Sequence, residues 1–300
     1  MALSARATIA AGAFTVLVAG PGCIAIDGAD LGRYVEREDK HFAVTGKPDL
    51  SLSTFDGAIE IRPWDKAEVE VVIEKRGRNK DATDAIEVHA EANGNHIEIR
   101  VTTPRNSGMG FHFNFSRSAK LIVSVPASAD VKASSGDGSI DIERVAGRLE
   151  LRSGDGSIRG HALSGDVTAH TGDGSIALDG VDGALNVDTG DGNVTVGGKL
   201  TRVRARSGDG SVRIQADQGS VASGDWDITT GDGSIVLAMP DGFGAELDAH
   251  TGDGRISMQD VTLSNVTGEV GKRTVRGRLG AGGAALRVRT GDGSITIKRM

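Results

Sequence analysis

The chain has 300 residues, 44 of them glycine, with 3% aromatic residues and a formal net charge of −7. So glycine-rich and aromatic-poor a composition excludes an ordinary mixed α/β enzyme and suits a thin, repetitive core. The negative balance argues against nucleic acid as a partner, because phosphate binding needs a basic face.

Residues 1–22 read as an export signal. Arg6 precedes an apolar run from Ala7 to Ala19, and Gly20-Pro21-Gly22 leads into Cys23. The run is too short for a membrane span. Cys23 is the only cysteine, so no intramolecular disulfide can form. Its place after the small residues of a signal reads as a lipidation site, at which the thiol takes a lipid and becomes the mature N-terminus. Gly20 and Pro21 depart from the usual lipidation box, and the alternative is an ordinary signal cut nearby, after Ala25 for instance, with Cys23 removed. Residues 23–43 then read as the lipidation site and a charged tether.

Residues 44–130 read as an N-terminal β-rich capping region. Apolar–polar alternation places strands at 50–54, 58–62, 69–75, 85–92, 96–102 and 120–125. Phe111, Phe113 and Phe115 share one face of a further strand. They read either as core of this layer or, on an exposed flap, as a partner patch. Trp64 and Trp226 sit near alternating apolar positions and read as core.

Residues 131–300 carry a repeat. Gly-Asp-Gly begins at Gly136, Gly154, Gly172, Gly190 and Gly208, each 18 residues after the last, and returns at Gly231, Gly252 and Gly291. Numbered from the first glycine, position 5 is Ile140, Ile158, Ile176 and Val194, and position 14 is Leu149, Val167, Leu185 and Val203. Their neighbours are mostly polar. Each unit therefore holds two short strands with one buried face, and buries that face only by stacking on its neighbours. The fold class this predicts is all-β, a β-solenoid of 18-residue two-strand coils. The inward positions 5, 7, 10, 14, 16 and 18 lack a period of six, which points to a flattened coil. The stretch 260–283 loses the register and reads as an irregular rung or a hairpin. The terminal Lys298 and Arg299 suit an exposed end.

The stacked repeats put Asp137, Asp155, Asp173, Asp191 and Asp209 in one column, continued by Asp232, Asp253 and Asp292. Like charges one rung apart repel by roughly 1 kcal/mol per pair even in water. One reading is an Asx-type turn in which flanking glycines allow positive φ and the carboxylate accepts a backbone N–H. The sharper reading is weak Ca²⁺ binding along the ladder. The spacing does not match the calcium-binding nonapeptide roll: Asp137 lies three residues before Ile140, and the opposite turn at Gly147-Arg148 has no aspartate. No cofactor and no confident metal site is expected. His161, His170 and His250 occupy outward positions and read as solvated polar residues. No nucleophile elbow, zincin, Walker or dinucleotide motif is present, so no catalytic residue is assigned.

LSTFDGAIEIRPWDKAEVEVVIEK near the start, VPASADVKASSGDGSI in the middle and LGAGGAALRVRTGDGSITI at the close resemble the bacterial adhesin-like family of β-strand-repeat proteins, a domain of unknown function. The resemblance spans about Leu50 to Ile297 and implies an exported or envelope-attached β-solenoid with no established reaction. Taken together, these features lead to a non-enzymatic, lipid-anchored envelope protein that presents an extended binding or adhesion surface to an unknown protein or glycan. The alternatives are a calcium-binding structural module and a polysaccharide-active β-helix enzyme. The second needs sugar-stacking aromatics, and the repeat half offers only Trp226 and Phe243.

Overall fold

The computed structural model describes residues 34–103, 117–268 and 272–300. The N-terminal part runs β1 (Tyr34–Ala43), β2 (Asp49–Thr54), β3 (Ile59–Trp64), β4 (Glu68–Gly77), the one-turn helix α1 (Lys80–Asp84), β5 (Glu87–Asn93), β6 (His96–Thr102) and β7 (Ser118–Pro126). The repeats supply β8 (Asp130–Ser135), β9 (Ile140–Glu143), β10 (Ala146–Ser153), β11 (Ile158–His161), β12 (Ser164–Thr171), β13 (Ile176–Thr189), β14 (Val194–Ser207), β15 (Val212–Ala216), β16 (Trp226–Thr230) and β17 (Ile235–Met239). The last part holds β18 (Ala245–Thr251), β19 (Ile256–Gln259), β20 (Leu263–Gly268), β21 (Thr274–Leu279), β22 (Ala285–Thr290) and β23 (Ile295–Arg299).

Two ladders face each other across the core. The first runs β5-β6-β2-β8-β10-β12-β13-β14-β16-β22-β18-β21-β20. The second runs β1-β4-β7-β3-β9-β11-β13-β14-β15-β17-β23-β19. β13 and β14 cross from one ladder to the other and join them. Repeating units stack in parallel and in register: Ile140 lies beside Ile158, and Ile158 beside Ile176, all fully buried. Positions 5 and 7 fill the core from one sheet and positions 14 and 16 from the other, which is the flattened β-solenoid that the alternation requires.

Antiparallel strands close both ends. At the N-terminal end these are β5 beside β6, and β4 between β1 and β7. β2 and β3 themselves join the parallel stack, between β6/β7 and β8/β9. β1 takes up residues 34–43, which the sequence presented as tether. It shows no apolar alternation because its half-buried side carries Glu36, Glu38 and Lys40 ahead of Phe42, and the edge is held by charge: Arg37 pairs with Glu74 at 2.7 Å and Lys75 with Glu38 at 3.2 Å. Charged edges also discourage pairing with other chains.

At the other end the irregular stretch forms the antiparallel hairpin β20–β21. The terminal strands do not close the stack. β22 lies between β16 and β18, and β23 between β17 and β19. Lys298 and Arg299 thus belong to an interior rung. The reason is packing: Leu286, Val288, Ile295 and Ile297 are fully buried, and an end rung would leave one side of each exposed to water.

Candidate functional site

The Gly-Asp-Gly turns form one edge of the stack. Neighbouring rungs touch backbone to backbone there, and in the middle of the stack the first glycine N–H donates to the carbonyl of the equivalent glycine one rung away, as from Gly172 to Gly154 at 2.5 Å and from Gly208 to Gly190 at 2.6 Å, whereas Gly252 donates to Thr290 O at 3.1 Å. A Cβ on Gly156 would lie 2.2 Å from Gly138 O. The glycines are there for this close approach, not for positive φ as the Asx reading requires. Positive φ belongs to the opposite turn, at Arg144 (52°), Ala162 (52°) and Gly165 (106°).

The residue before each turn does what the aspartate was expected to do. Ser153, Thr171, Thr189, Ser207, Thr230, Thr290 and Thr251 form a buried hydroxyl column. Each donates to a turn carbonyl one rung away, for example Thr189 Oγ1 to Gly174 O at 2.8 Å and Thr230 Oγ1 to Gly210 O at 2.7 Å. Ser153 and Ser207 also accept from the N–H of their own turn glycines, Gly156 and Gly210. The sequence held this signal, a Ser or Thr before every Gly-Asp-Gly, but inward polar residues are easily passed over as filler.

The aspartates themselves point outward. Asp137, Asp155, Asp173, Asp191, Asp209, Asp232, Asp292 and Asp253 are all exposed. The last two follow the stacking order of their rungs and so are exchanged relative to the chain. Among the described residues only Asp253 has a side-chain partner, Arg273 at 2.7 Å. Asp56 extends the column by one rung: burial, followed by the charge of Asp137, raises its pKa above the ordinary carboxylate value. Among the described residues no cluster of three or more His, Cys, Asp or Glu has metal-binding geometry.

The histidines sit on the outer faces. His161 faces Asp179 at 3.3 Å, His170 faces Asp188 at 3.1 Å, and His250 Nδ1 lies 2.9 Å from Thr274 Oγ1. Trp226 is fully buried, edge-on to Phe243 with ring centroids 5.0 Å apart. Trp64 donates from Nε1 to Glu68 O and carries Lys66 over its ring. Cys23 and the Phe111, Phe113 and Phe115 patch lie outside the described residues. No helix among the described residues is long and apolar enough to cross a membrane.

The two outer faces are mostly polar, and one part of the first sheet differs from the rest. Across β14, β16, β22, β18 and β21 one row reads Arg204, Asp227, Arg287, Asp248, Arg276. The next reads Arg206, Thr229, Arg289, His250, Thr274. Arg202 and Arg278 flank them. Asp227 and Asp248 are more covered than the arginines they pair with, the Asp248 side chain being 30% exposed against 63% for Arg276 and 49% for Arg289, whereas Asp225 at 60% is more open than Arg287 at 41%. Burial acts to raise the Asp248 pKa, but the guanidiniums of Arg276 and Arg289 outweigh it and hold the carboxyl below its ordinary value. Arg202 and Arg204 make no ion pair or hydrogen bond among the described residues.

Comparison with solved structures finds distant likenesses. A candidate cell adhesion protein from Clostridium sporogenes is 14% identical over 89% of this chain and 100% of its own, with a TM-score of 0.29. A candidate adhesin from Bacteroides fragilis is 11% identical over 88% of this chain and 97% of its own, with a TM-score of 0.42. A candidate lipid binding protein from Parabacteroides distasonis is 15% identical over 88% and 96%, with a TM-score of 0.38. No curated protein matches the chain. A family model, Toastrack DUF4097, matches residues 48–298. From the first full rung to the inserted last one the match is continuous, and the chain belongs to the Toastrack DUF4097 family.

Proposed function

We propose that this protein is a non-enzymatic, exported binding module, anchored to the bacterial envelope by a lipid on Cys23, whose stack presents a long rigid surface to an envelope protein or glycan. The observation that carries this reading is the outer face of the first sheet. Among the described residues thirteen strands contribute to it, at about 4.8 Å per strand, so it extends for about 60 Å. Its side chains alternate strictly with the buried ones, so its polar groups stand on a backbone fixed by ladder hydrogen bonds on both sides. Such a face suits binding to an extended partner, since little ordering entropy is lost on contact.

The test is metabolic labelling with a fatty-acid analogue, followed by sedimentation of the purified full chain with isolated envelopes. Wild type is expected to carry label and Cys23→Ala to lose it, while both chains sediment with envelopes. An unlabelled wild type removes the anchor. Failure of both chains to sediment removes the surface.

A further inference from the structure

The arginine-rich strips at 202–206, 276–278 and 287–289 are far apart in sequence. The insertion of β22 beside β16, and the pairing of β21 with β18, bring them onto one face. In a chain of net charge −7, seven guanidiniums there meet the four carboxylates of Asp225, Asp227, Glu246 and Asp248. Along the central row Arg204, Arg287 and Arg276 alternate with Asp227 and Asp248, which puts successive arginines two strands, or about 9.6 Å, apart.

We propose that this face binds an extended polyuronate lying along the stack axis, with the carboxylate of every second sugar turned towards it. The assignment rests on the reading of the stack as a binding surface. Three observations select the occupant. The seven guanidiniums outnumber the four carboxylates, those paired with Asp227 and Asp248 are the more exposed members of their pairs, and Arg204 has no ion pair or hydrogen bond among the described residues to give up. Asp227 and Asp248 lie in the gaps of the row, where sugar hydroxyls donate to them but a phosphate at each position is repelled. Among the described residues the face offers no aromatic side chain for base stacking, and the exposed Val266 of the adjoining β20 stands singly, not in an apolar patch for a lipid surface; Thr229, Thr274 and His250 complete the face with hydroxyl and imidazole.

The experiment is calorimetry of the full chain with hexagalacturonate, beside a neutral glucan hexamer, single-stranded DNA and anionic phospholipid vesicles, at 50 mM and 300 mM salt. The acidic glycan is expected to bind, more weakly at the higher salt as exposed ion pairs are screened, and the neutral one not. Arg204→Gln alone removes no ion pair or hydrogen bond among the described residues and is expected to weaken binding several-fold. The triple variant Arg204→Gln/Arg276→Gln/Arg287→Gln is expected to weaken it about tenfold or more. Arg152→Gln on another part of the same sheet is expected to leave it unchanged. Equal binding of the neutral glucan, tighter binding of DNA or vesicles, or unchanged affinity in both arginine variants overturns the assignment. Sedimentation with envelopes but no binding to hexagalacturonate overturns the glycan and leaves the surface standing.

Discussion

Ile297→Ala tests the inserted rung directly. The Ile297 side chain is fully buried in β23, level with Leu237 of β17 on one side and Met258 of β19 on the other. Truncation removes three carbons, about 2.4 kcal/mol at 0.8 kcal/mol each, and leaves a cavity that neighbours on both sides hold open. The expected loss is about 3 kcal/mol, which for a domain of this size lowers the melting midpoint by about 6–12 °C. Met258→Ala in the outermost rung, where the side chain is only partly buried, is expected to cost about 1 kcal/mol. The assay is urea denaturation followed by circular dichroism and by the fluorescence of Trp226, which adjoins Leu286 of the inserted rung. If β23 were the end of the stack, the two costs would be reversed. Met258→Ala costing as much as Ile297→Ala, or Ile297→Ala costing under about 1 kcal/mol, refutes the rung order.

Substitutions at four further positions probe the turns and the column. Thr189→Val keeps shape but deletes the donor to Gly174 O, and is expected to cost about 1–3 kcal/mol in urea unfolding; Thr189→Ser should recover most of it. Ala162→Gly relieves a left-handed backbone at φ 52° and is expected to gain about 0.5–1 kcal/mol once the freer unfolded chain is counted; a loss contradicts the assigned conformation. Asp56→Asn depends on pH. Because the folded pKa is raised, the native state holds the extra proton between the ordinary value and the raised one, and stability falls as pH rises through that window. The variant should therefore be more stable than wild type at pH 7 and no more stable at pH 3, as melting curves at the two pH values will show. Asp173→Asn removes repulsion from Asp155 and Asp191, about 0.8 kcal/mol each in water, so it should stabilise by about 1 kcal/mol at low salt and less at 1 M salt. A loss of stability that appears only in calcium-containing buffer instead favours the calcium ladder.

The repeat made the middle of the molecule legible. A strict 18-residue beat of inward apolar residues leaves in-register stacking as the way to bury them, and Ile140, Ile158 and Ile176 lie as that requires. The hairpin at 260–283 was readable as a loss of the same beat. The two ends were not. The segments 285–299 and 245–259 carry the same alternation and the same turn, so nothing local says which packs against β16. Tertiary fit decides it, through side chains such as Leu286 and Ile297 that fill a space with neighbours on two sides. β1 was hidden because its half-buried side is built from Glu36, Glu38 and Lys40, of which Glu38 and Lys40 are paired, so no apolar alternation marks it. The Asp column was visible, but its hydrogen-bonding role was misplaced by one residue, since a buried hydroxyl meets the turn carbonyls more closely than an exposed carboxylate can. The arginine face was present only as three separate strips until the topology joined them.

Because each end is buckled by a segment that turns back one rung, the stack can be lengthened only from within. An extra 18-residue unit copied into the region between Gly154 and Gly208 would add one coil and move the two closures apart intact. The same unit appended after Met300 would find β23 already covered on both sides. Duplication in the middle thus changes the reach of the molecule while the two buckles keep their sequence and their fit.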